Sequence, residues 1–326
     1  MAVYTHLSAD DISALIAWYD VGDLISAKGI AEGVSNSNWL IETTGSSGVP
    51  SRFILTIYEE RTKLSDLPFF LSLLDHLSSK NGPVPRTIHD REGQAFRMVE
   101  GKAAALIEFL PGVSIDIPHH DQAVSVGAAV GWIHDAAKDF GGARENDLGP
   151  AKWRELLGKC DRQSLARIDA ALPDLLARKM DEIEDGWPTD LPRSIVHADL
   201  FPDNVLMLGT QVTGLIDFYF ACTDFAAYDL AVTHAAWSFG PDGSNFNRAI
   251  GQAIITGYEQ ARQLSRSERD ALPILAQGAA MRFIATRAYD WIHTPADALV
   301  TRKDPMDFVR RLDYYGTAGQ TAFQPR

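Results

Sequence analysis

The sequence contains few of the features that mark a secreted or membrane-bound chain. Only two cysteines, Cys160 and Cys222, occur among its 326 residues, and they are far apart. A disulfide framework and a paired-cysteine metal site are therefore excluded, and a reducing compartment is the simplest interpretation. No secretory leader precedes Tyr4, and no run approaches the ~20 apolar residues that a membrane-spanning helix needs. The sequence predicts a cytoplasmic protein without a membrane partner.

The chain also lacks an excess of positive charge. It has 30 lysines and arginines against 43 acidic residues, which gives a formal net charge of −13. This balance argues against nucleic acid or an anionic membrane as a partner. An anionic substrate would have to be received by local dipoles and metal ions. Apolar residues make up 46% of the chain, which is ample for a core, and the length suggests about two domains.

The first third of the chain predicts a small antiparallel sheet with helices packed on it. Apolar residues at helical spacing favour helices over residues 8–19 and 64–77, the first with Ser8 as its N-cap. Alternating or β-branched runs bounded by turn residues predict strands in the second half of residues 29–43 and over residues 51–58, 95–99 and 103–109. The turn signal at residues 110–112 then places the boundary of an N-terminal lobe, residues 1–109.

Beyond this boundary the chain is mostly helical. Helices are predicted over residues 119–137, 152–160, 165–180, 225–239, 245–263, 266–291 (broken near Pro273) and 305–315. Residues 110–326 therefore form a second lobe. The predicted fold class is α+β, with a small antiparallel-sheet lobe and a large, mainly helical lobe. A cleft between two lobes is the usual place for a small-molecule site.

The most informative stretch, residues 194–218, alternates short apolar runs with polar residues. The apolar runs predict strands over residues 194–196, 205–208 and 212–216. The polar residues that follow them are His197, Asp199, Asp203, Asn204 and Asp217. An acid at the end of a short apolar strand is unfavourable for folding unless something binds it. Asp199 and Asp217 are therefore candidate functional residues.

The spacing of these residues matches the catalytic pattern of kinases, H-R-D-x-x-x-x-N followed by a metal-binding Asp, with Ala198 in place of the arginine. Phosphoryl transfer needs a carboxylate that orients the attacking hydroxyl, and Asp199 fits that need. It also needs oxygen ligands for Mg²⁺ at the phosphates of ATP, which Asn204 and Asp217 would supply. The alternative is a loop in which such residues only cap turns, but four of them at this spacing favour the catalytic interpretation.

Several segments together resemble a known family. They are EGVSNSNW, FILTIYE, IEFLPG, VHADLFPDN, GLIDFY, YDLA and RFIATRAYDW, at residues 32–39, 53–59, 107–112, 196–204, 214–219, 228–231 and 282–291. With them the chain resembles, over essentially its full length, the phosphotransferase superfamily of aminoglycoside and choline kinases. Within that superfamily it is most similar to the homoserine kinases. The resemblance implies the bilobal protein-kinase-like fold and the use of ATP and Mg²⁺.

The resemblance also implies roles for individual residues. Asp199 would orient the substrate hydroxyl or accept its proton, while Asn204 and Asp217 would hold Mg²⁺. His197 and Asp229 would support the catalytic loop. The residues implied for the nucleotide, as cover for the phosphates or as backbone partners of adenine, are Gly33, Ser35, Asn36, Glu108 and Leu110.

The strand over residues 51–58 departs from the pattern of the superfamily. Its members usually carry a lysine on this strand that holds the α- and β-phosphates, and here Thr56 occupies that position. A neutral threonine cannot supply the missing charge. Three outcomes stay open: the Ser/Asn-rich loop and Mg²⁺ hold the phosphates, another cation reaches in, or catalysis is impaired.

Candidate residues for the acceptor lie later in the chain. An amino-acid acceptor needs a cation for its carboxylate and an anion for its ammonium group, and Arg287 and Asp290 share one helix face. The alternative for these residues, and for Arg282, is an ordinary ion pair. His234 would either line the acceptor pocket or pack in the core.

The leading hypothesis is a kinase that uses ATP and Mg²⁺ to phosphorylate the hydroxyl of L-homoserine, as a monomer or a homodimer. A kinase for choline, ethanolamine or an aminoglycoside is the near alternative. A nucleotide-binding module without activity is a second alternative, favoured by Thr56 alone. A metal-dependent hydrolase built on His197 and Asp199 lacks further histidine ligands at suitable spacing.

Overall fold

The computed structural model describes residues 5, 7–30, 36–59, 63–294 and 302–324. Contacts between Cα atoms divide the chain into two units. Unit 1 comprises Met1–Gly112 with Thr213–Tyr219, and unit 2 comprises Val113–Val212 with Phe220–Arg326. Unit 1 is built on an antiparallel sheet and unit 2 is mainly helical, which confirms the predicted α+β class.

Unit 1 combines two helices with a six-stranded sheet. Its elements are α1 (Ala9–Ile16), β1 (Leu24–Ile30), β2 (Ser37–Thr43), β3 (Ser51–Ile57), α2 (Leu67–Ser79), β4 (Thr87–Ile88), β5 (Arg97–Val99) and β6 (Lys102–Glu108). The strand order is β1-β2-β3-β6-β4, with β5 also paired to β6, and all these pairings are antiparallel. The sequence did not predict β1 or β4 as separate strands.

One face of this sheet packs on α1. Ser8 caps α1 by accepting from the Asp11 N–H, and Asp11 bonds back to the Ser8 N–H, which makes a capping box. The apolar face of the helix, Ile12, Leu15 and Ile16, is buried against alternate residues of the inner strands. Because side chains alternate across a strand, the residues between them lie on the opposite face.

Unit 2 surrounds a buried helix. Its elements are α3 (His120–Ala136), α4 (Pro150–Gly158), α5 (Arg162–Ile168), α6 (Leu172–Gly186), β7 (Arg193–Val196), β8 (Val205–Leu208), β10 (Cys222–Phe225), α7 (Ala226–Trp237), α8 (Arg248–Ala261), α9 (Arg266–His293) and α10 (Met306–Ala318). Strand β9 (Gln211–Leu215) pairs with β8 and crosses the division between the units. Every residue of α7 is buried, so the helix that follows the catalytic motif lies in the core.

Helices α3 and α8 approach each other closely. A Cβ atom added to Gly127 would lie 2.0 Å from the Ile254 carbonyl oxygen, and one added to Gly257 would lie 1.9 Å from the Val124 oxygen. Only glycine fits where two helix backbones touch in this way. This contact holds α3, which carries His134, firmly in the core.

Prolines account for two differences from the predicted helices. The single helix predicted over residues 165–180 is two helices, since Pro173 lies in the first turn of α6, where its missing N–H costs nothing. The predicted break at Pro273 was wrong, because α9 runs through it without interruption and packs on α7 and α10. Packing on neighbouring helices outweighs one lost hydrogen bond. Among the described residues, no helix is both long enough and apolar enough to cross a membrane.

Candidate active site

In unit 2, Asp229 binds the backbone of the candidate catalytic motif. This fully buried residue of α7 accepts hydrogen bonds from the backbone N–H groups of His197 (2.8 Å) and Ala198 (2.7 Å). His134 Nε2 lies 3.0 Å from the same carboxylate, and its Nδ1 lies 2.8 Å from the Tyr258 hydroxyl. Burial acts to raise the pKa of Asp229, but His134 and His197 outweigh it and hold that pKa below its usual value. The carboxylate therefore stays charged and fixes the start of the loop.

Arg282 of α9 binds the carbonyl group of Ala198, the residue whose N–H group is bound by Asp229. Its Nη1 donates to the Ala198 carbonyl oxygen, and its Nη2 lies 3.5 Å from Asp199 Oδ1. The residue is only 2% exposed. Ala198 itself has φ of 64°, a left-handed conformation that costs a non-glycine residue about 1–2 kcal/mol. Hydrogen bonds to both sides of this residue stabilise the turn and fix the direction of Asp199.

Asp199 combines burial with an opening to solvent. Its side chain keeps 19% exposure, while its N–H donates to His197 Nδ1 at 3.3 Å. Burial raises the pKa of Asp199 above its usual value, and the positive charges of Arg282, His197 and Lys303 act against that shift. A carboxylate with this exposure can accept a hydrogen bond from a hydroxyl group. The contact to His197 supports a bracing role for that ring.

Asn204, the asparagine of the motif, ends the short turn Pro202–Asn204 and is buried. Its Nδ2 donates to the Asp199 carbonyl oxygen at 2.8 Å, which ties the loop together across five residues. The amide nitrogen is thereby engaged, and the amide oxygen is the atom that remains for a metal ion. Amide and carboxylate oxygens are ligands that Mg²⁺ accepts. Asn204 and Asp217 each offer an oxygen of the kind that suits the ion implied by the sequence.

In unit 1, Asp217 lies beside a pair of tyrosines. The residue has φ of 66°, a left-handed conformation, and lies two residues after the end of β9. The hydroxyls of Tyr58 and Tyr219 are 3.4 Å apart. Burial raises the pKa of Tyr219 to about 12, and the charge of Asp217 contributes to that rise. Burial, Tyr219 and Asp217 likewise raise the pKa of Tyr58 well above its usual value. Both tyrosines are neutral donors near the candidate metal ligand.

Thr56 occupies the position expected for the phosphate-binding lysine. It is 3% exposed, and its Oγ1 donates to Asn38 Oδ1 at 2.8 Å. Lys102, on the adjacent strand, pairs with Glu59, which also accepts from Ser37 at 2.6 Å. Strand alternation places Lys102 with Ala104 and its core partners, on the opposite face from Thr56. Lys102 therefore does not replace the missing cation.

The predicted phosphate-covering residues are described only in part. Gly33 and Ser35 lie outside the described residues. Asn36 is buried, and its Oδ1 accepts from the Glu59 N–H at 3.3 Å. This contact joins the end of the loop between β1 and β2 to the end of β3.

Glu108 and Leu110, implied for adenine, line a cavity of about 620 Å³ in unit 1. The N–H of Glu108 donates to the Arg86 carbonyl oxygen at 3.0 Å, and a Glu108 carboxylate oxygen lies 3.2 Å from the Arg86 N–H. The Glu108 N–H is thereby engaged, and the contact of Glu108 and Leu110 with adenine stays a prediction.

The three residues predicted to bind the acceptor differ in their burial. Arg287 is partly buried, and its Nη1 donates to Asp307 Oδ2 and to the Asp304 carbonyl oxygen, both at 2.9 Å. Asp290 is exposed one turn further along α9. His234 is fully buried, its Nδ1 lies 2.6 Å from the Tyr315 hydroxyl, and burial lowers its pKa to about 3. This placement favours packing, the alternative that the sequence left open for His234.

The position of Arg282, which contacts the candidate catalytic loop, was not predicted from the sequence. It was weighed as an acceptor residue or an ordinary ion pair, whereas its guanidinium binds the catalytic loop. The available signal was an arginine in the apolar run of residues 279–285, because an arginine is rarely buried without a specific partner. Asn38, Tyr58 and Tyr219 were also missed, because nothing in a single strand shows which cross-strand neighbour it contacts.

Comparison with known proteins places this geometry in a family. A model of the phosphotransferase enzyme family matches residues 26–264, which is more than half of the chain. The chain belongs to the phosphotransferase enzyme family. Curated relatives include proteins named homoserine kinase from Gluconacetobacter diazotrophicus (47% identity, 99% of both chains) and Beijerinckia indica (44% identity, 98% of this chain and 97% of the relative).

Solved structures show that this phosphotransferase shares its fold with known kinases. An amicoumacin kinase in complex with AMP-PNP and Ca²⁺ superposes with a TM-score of 0.72 at 14% identity, and the match covers 98% of this chain and 96% of the other. At that identity the likeness supports the fold alone. It agrees with the sheet-based unit 1 and the mainly helical unit 2.

Proposed function

We propose that this phosphotransferase transfers the γ-phosphoryl group of ATP to the hydroxyl of L-homoserine, giving O-phospho-L-homoserine for threonine biosynthesis. The observation that carries the chemistry is Asp199, a partly open carboxylate on a loop clamped by Asp229 and Arg282. The acceptor is supported by the relatives named homoserine kinase, which match nearly the full length of the chain at 44–47% identity.

In the proposed mechanism the chain contributes mainly positioning. Asp199 accepts a hydrogen bond from the acceptor hydroxyl, orients its oxygen toward the γ-phosphorus and takes its proton as the new O–P bond forms. The bond between the γ-phosphorus and the β–γ bridging oxygen breaks in the same transfer, and ADP is the leaving group. Arg282 and His197 keep the carboxylate in that direction. Asn204 and Asp217 are the residues that would hold Mg²⁺, which when bound neutralises charge on the phosphates.

The first test is turnover with defined acceptors. Wild-type protein with Mg-ATP should release ADP in proportion to added L-homoserine and should be far slower with choline, ethanolamine or an aminoglycoside. A choline site would need an aromatic cage, and an aminoglycoside site would need an acidic cleft. Faster turnover with one of these alcohols would contradict homoserine as the acceptor and identify that alcohol instead. ATP binding without turnover on any acceptor would favour the inactive module.

The metal-dependent hydrolase has little support. Over the part of the chain that the structure describes, no group of three or more histidine, cysteine or acidic side chains could hold a metal ion. Stoichiometric zinc or iron in the purified protein would be needed to revive that alternative. A cytoplasmic location belongs to the proposal, since the buried free thiols of Cys160 and Cys222 fit a reducing compartment.

Arg287 is proposed to bind the carboxylate of the acceptor, with Asp290 near its ammonium group. Arg287 follows Arg282 by five residues on α9, and Arg282 Nη2 lies 3.5 Å from Asp199 Oδ1, so the helix that carries Arg287 also contacts the candidate catalytic carboxylate. We expect Arg287→Ala to raise KM for L-homoserine by about 10-fold or more, since a hydrogen-bonded charge contributes about 1.5–3 kcal/mol. The KM for ATP should change little.

Two comparisons separate this role from a structural one. Arg287→Lys should keep the pairing with Asp307, and Arg266→Ala removes an arginine whose side chain is 95% exposed. Thermal midpoints of all variants report any loss of folding. If Arg287→Ala slows an amino alcohol without a carboxylate as much as it slows homoserine, the carboxylate assignment fails.

A further inference from the structure

The face of the unit 1 sheet that carries Thr56 is defined by strand register. Thr56 lies opposite Asn38 on β2 and opposite Ala105 on β6. Directly opposite residues of antiparallel strands point to the same face. The flanking residue Ile57 belongs to the core on α1, so Thr56 and Asn38 face away from that core. Tyr58 follows directly after the end of β3, two residues beyond Thr56.

Three features of a nucleotide site meet on this face. Position 56 is where the superfamily carries its phosphate-binding lysine. Asn38 is two residues beyond Asn36, at the end of the loop implied to cover the phosphates. The hydroxyl of Tyr219, two residues after the candidate metal ligand Asp217, lies 3.4 Å from that of Tyr58. A phosphate group bound here would meet the side chains of Asn38 and Thr56.

The amide of Asn38 is oriented for donation. The hydroxyl of Thr56 donates to Asn38 Oδ1 at 2.8 Å, which occupies the amide oxygen and turns the NH₂ group away. Within the described parts of the chain, Thr56 is the hydrogen-bond partner of this side chain, and Asn38 is only partly buried. An amide NH₂ held in this way carries two N–H donors, which suit phosphate oxygens.

We propose that Asn38, oriented by Thr56, donates from its amide nitrogen to a phosphate oxygen of the nucleotide and takes over the positioning that the absent lysine provides elsewhere. This inference rests on the ATP half of the proposed function and is independent of the acceptor. A neutral amide holds phosphate through directed hydrogen bonds, whereas a lysine acts as a point charge. More of the phosphate charge is then left for a metal ion to neutralise.

The test is nucleotide binding without an acceptor. The affinities for ADP, AMP and adenosine are measured by calorimetric titration with Mg²⁺ present. Asn38→Ala should lower the affinity for ADP by about tenfold, as expected for the loss of a hydrogen bond to a charged group. The affinity of this variant for adenosine should equal that of the wild type. Asn38→Asp should weaken ADP further, because a carboxylate in this position repels phosphate.

Variants at Thr56 test the orienting contact and guard against misfolding of the Asn38 variants. Thr56→Val keeps the shape of the side chain and removes the hydroxyl, and it should lower the affinity for ADP about threefold. Thr56→Ser keeps the hydroxyl and should bind like the wild type. Equal losses for adenosine and ADP, or unchanged ADP affinity in both Asn38→Ala and Thr56→Val, would overturn the proposal.

These titrations also separate the two proposals. Wild-type protein that binds ADP but does not phosphorylate homoserine would contradict the proposed acceptor while leaving the role of Asn38 intact. Wild-type protein that does not bind ADP at all would contradict both.

Discussion

Replacing Asp199 with asparagine should lower kcat by roughly 10²–10⁴-fold, the range that a positioned proton acceptor contributes. The amide keeps the size of the side chain but cannot take the proton of the acceptor hydroxyl. The surrounding clamp should survive, because Arg282 binds the Ala198 carbonyl oxygen and Asp229 binds backbone N–H groups. The measurement is ADP release under saturating ATP and homoserine, together with the ADP affinity of the variant.

A control with the same change of charge makes this result specific. Asp174→Asn alters an acid whose side chain is 75% exposed and paired with Arg162 on the surface. It should leave kcat unchanged. A kcat for Asp199→Asn within about threefold of the wild type would remove Asp199 from the chemical step and return the motif to a structural interpretation.

Replacing Asp229 with asparagine should lower the free energy of unfolding more than any other proposed substitution. The carboxylate accepts from two backbone N–H groups and contacts His134, all within 3.0 Å and without access to water. An amide cannot accept all of these bonds, and its own NH₂ group would face other donors. Breaking such a buried arrangement costs about 3–5 kcal/mol. Urea unfolding of the wild type, Asp229→Asn and Asp174→Asn would measure the difference.

The exposed pair of Asp174 should contribute less than about 1 kcal/mol, so that its variant unfolds nearly like the wild type. An Asp229→Asn variant of wild-type stability would show that the buried charge does not hold the loop. Activity of that variant should also fall, because the backbone of His197 and Ala198 loses its anchor.

The same residue predicts how stability depends on pH. His134 and His197 hold the folded-state pKa of Asp229 below its usual value against the effect of burial. Its contribution is therefore complete above the unfolded-state value and is lost as pH falls through the folded-state value. Below about pH 4 the free energies of unfolding of the wild type and Asp229→Asn should converge. Divergence of the two curves on acidification would contradict this assignment.

The candidate catalytic motif could be recognised in the sequence because its spacing is local. Asp199, Asn204 and Asp217 follow strands whose ends are set by short apolar runs, and the structure has strands or a tight turn directly beside each of them. Chemistry that depends on a few neighbouring residues leaves a pattern along the chain. The α+β class followed from the same kind of local periodicity.

Contacts that depend on distant segments could not be found in this way. Arg282 reaches the loop from 83 residues beyond Asp199, and His234 is buried by Tyr315, which lies 81 residues later. The spacing of residues along the chain does not show which neighbour a helix face packs on, because the long-range packing of α7, α9 and α10 decides that. It also does not show that Asn38 lies opposite Thr56, because the pairing of strands in the sheet decides that register.

The hydroxyl at position 56 has a consequence for chemical labelling. On the proposed placement of the nucleotide, a reactive analogue that acylates an amine beside the phosphates would meet no lysine at position 56, because Thr56 is a weak, buried nucleophile. Such a reagent should leave position 56 unmodified. Inhibitors that place an anion against the lysine of other phosphotransferases would lose that attraction here, whereas a compound that accepts from the Asn38 amide would gain selectivity for this one.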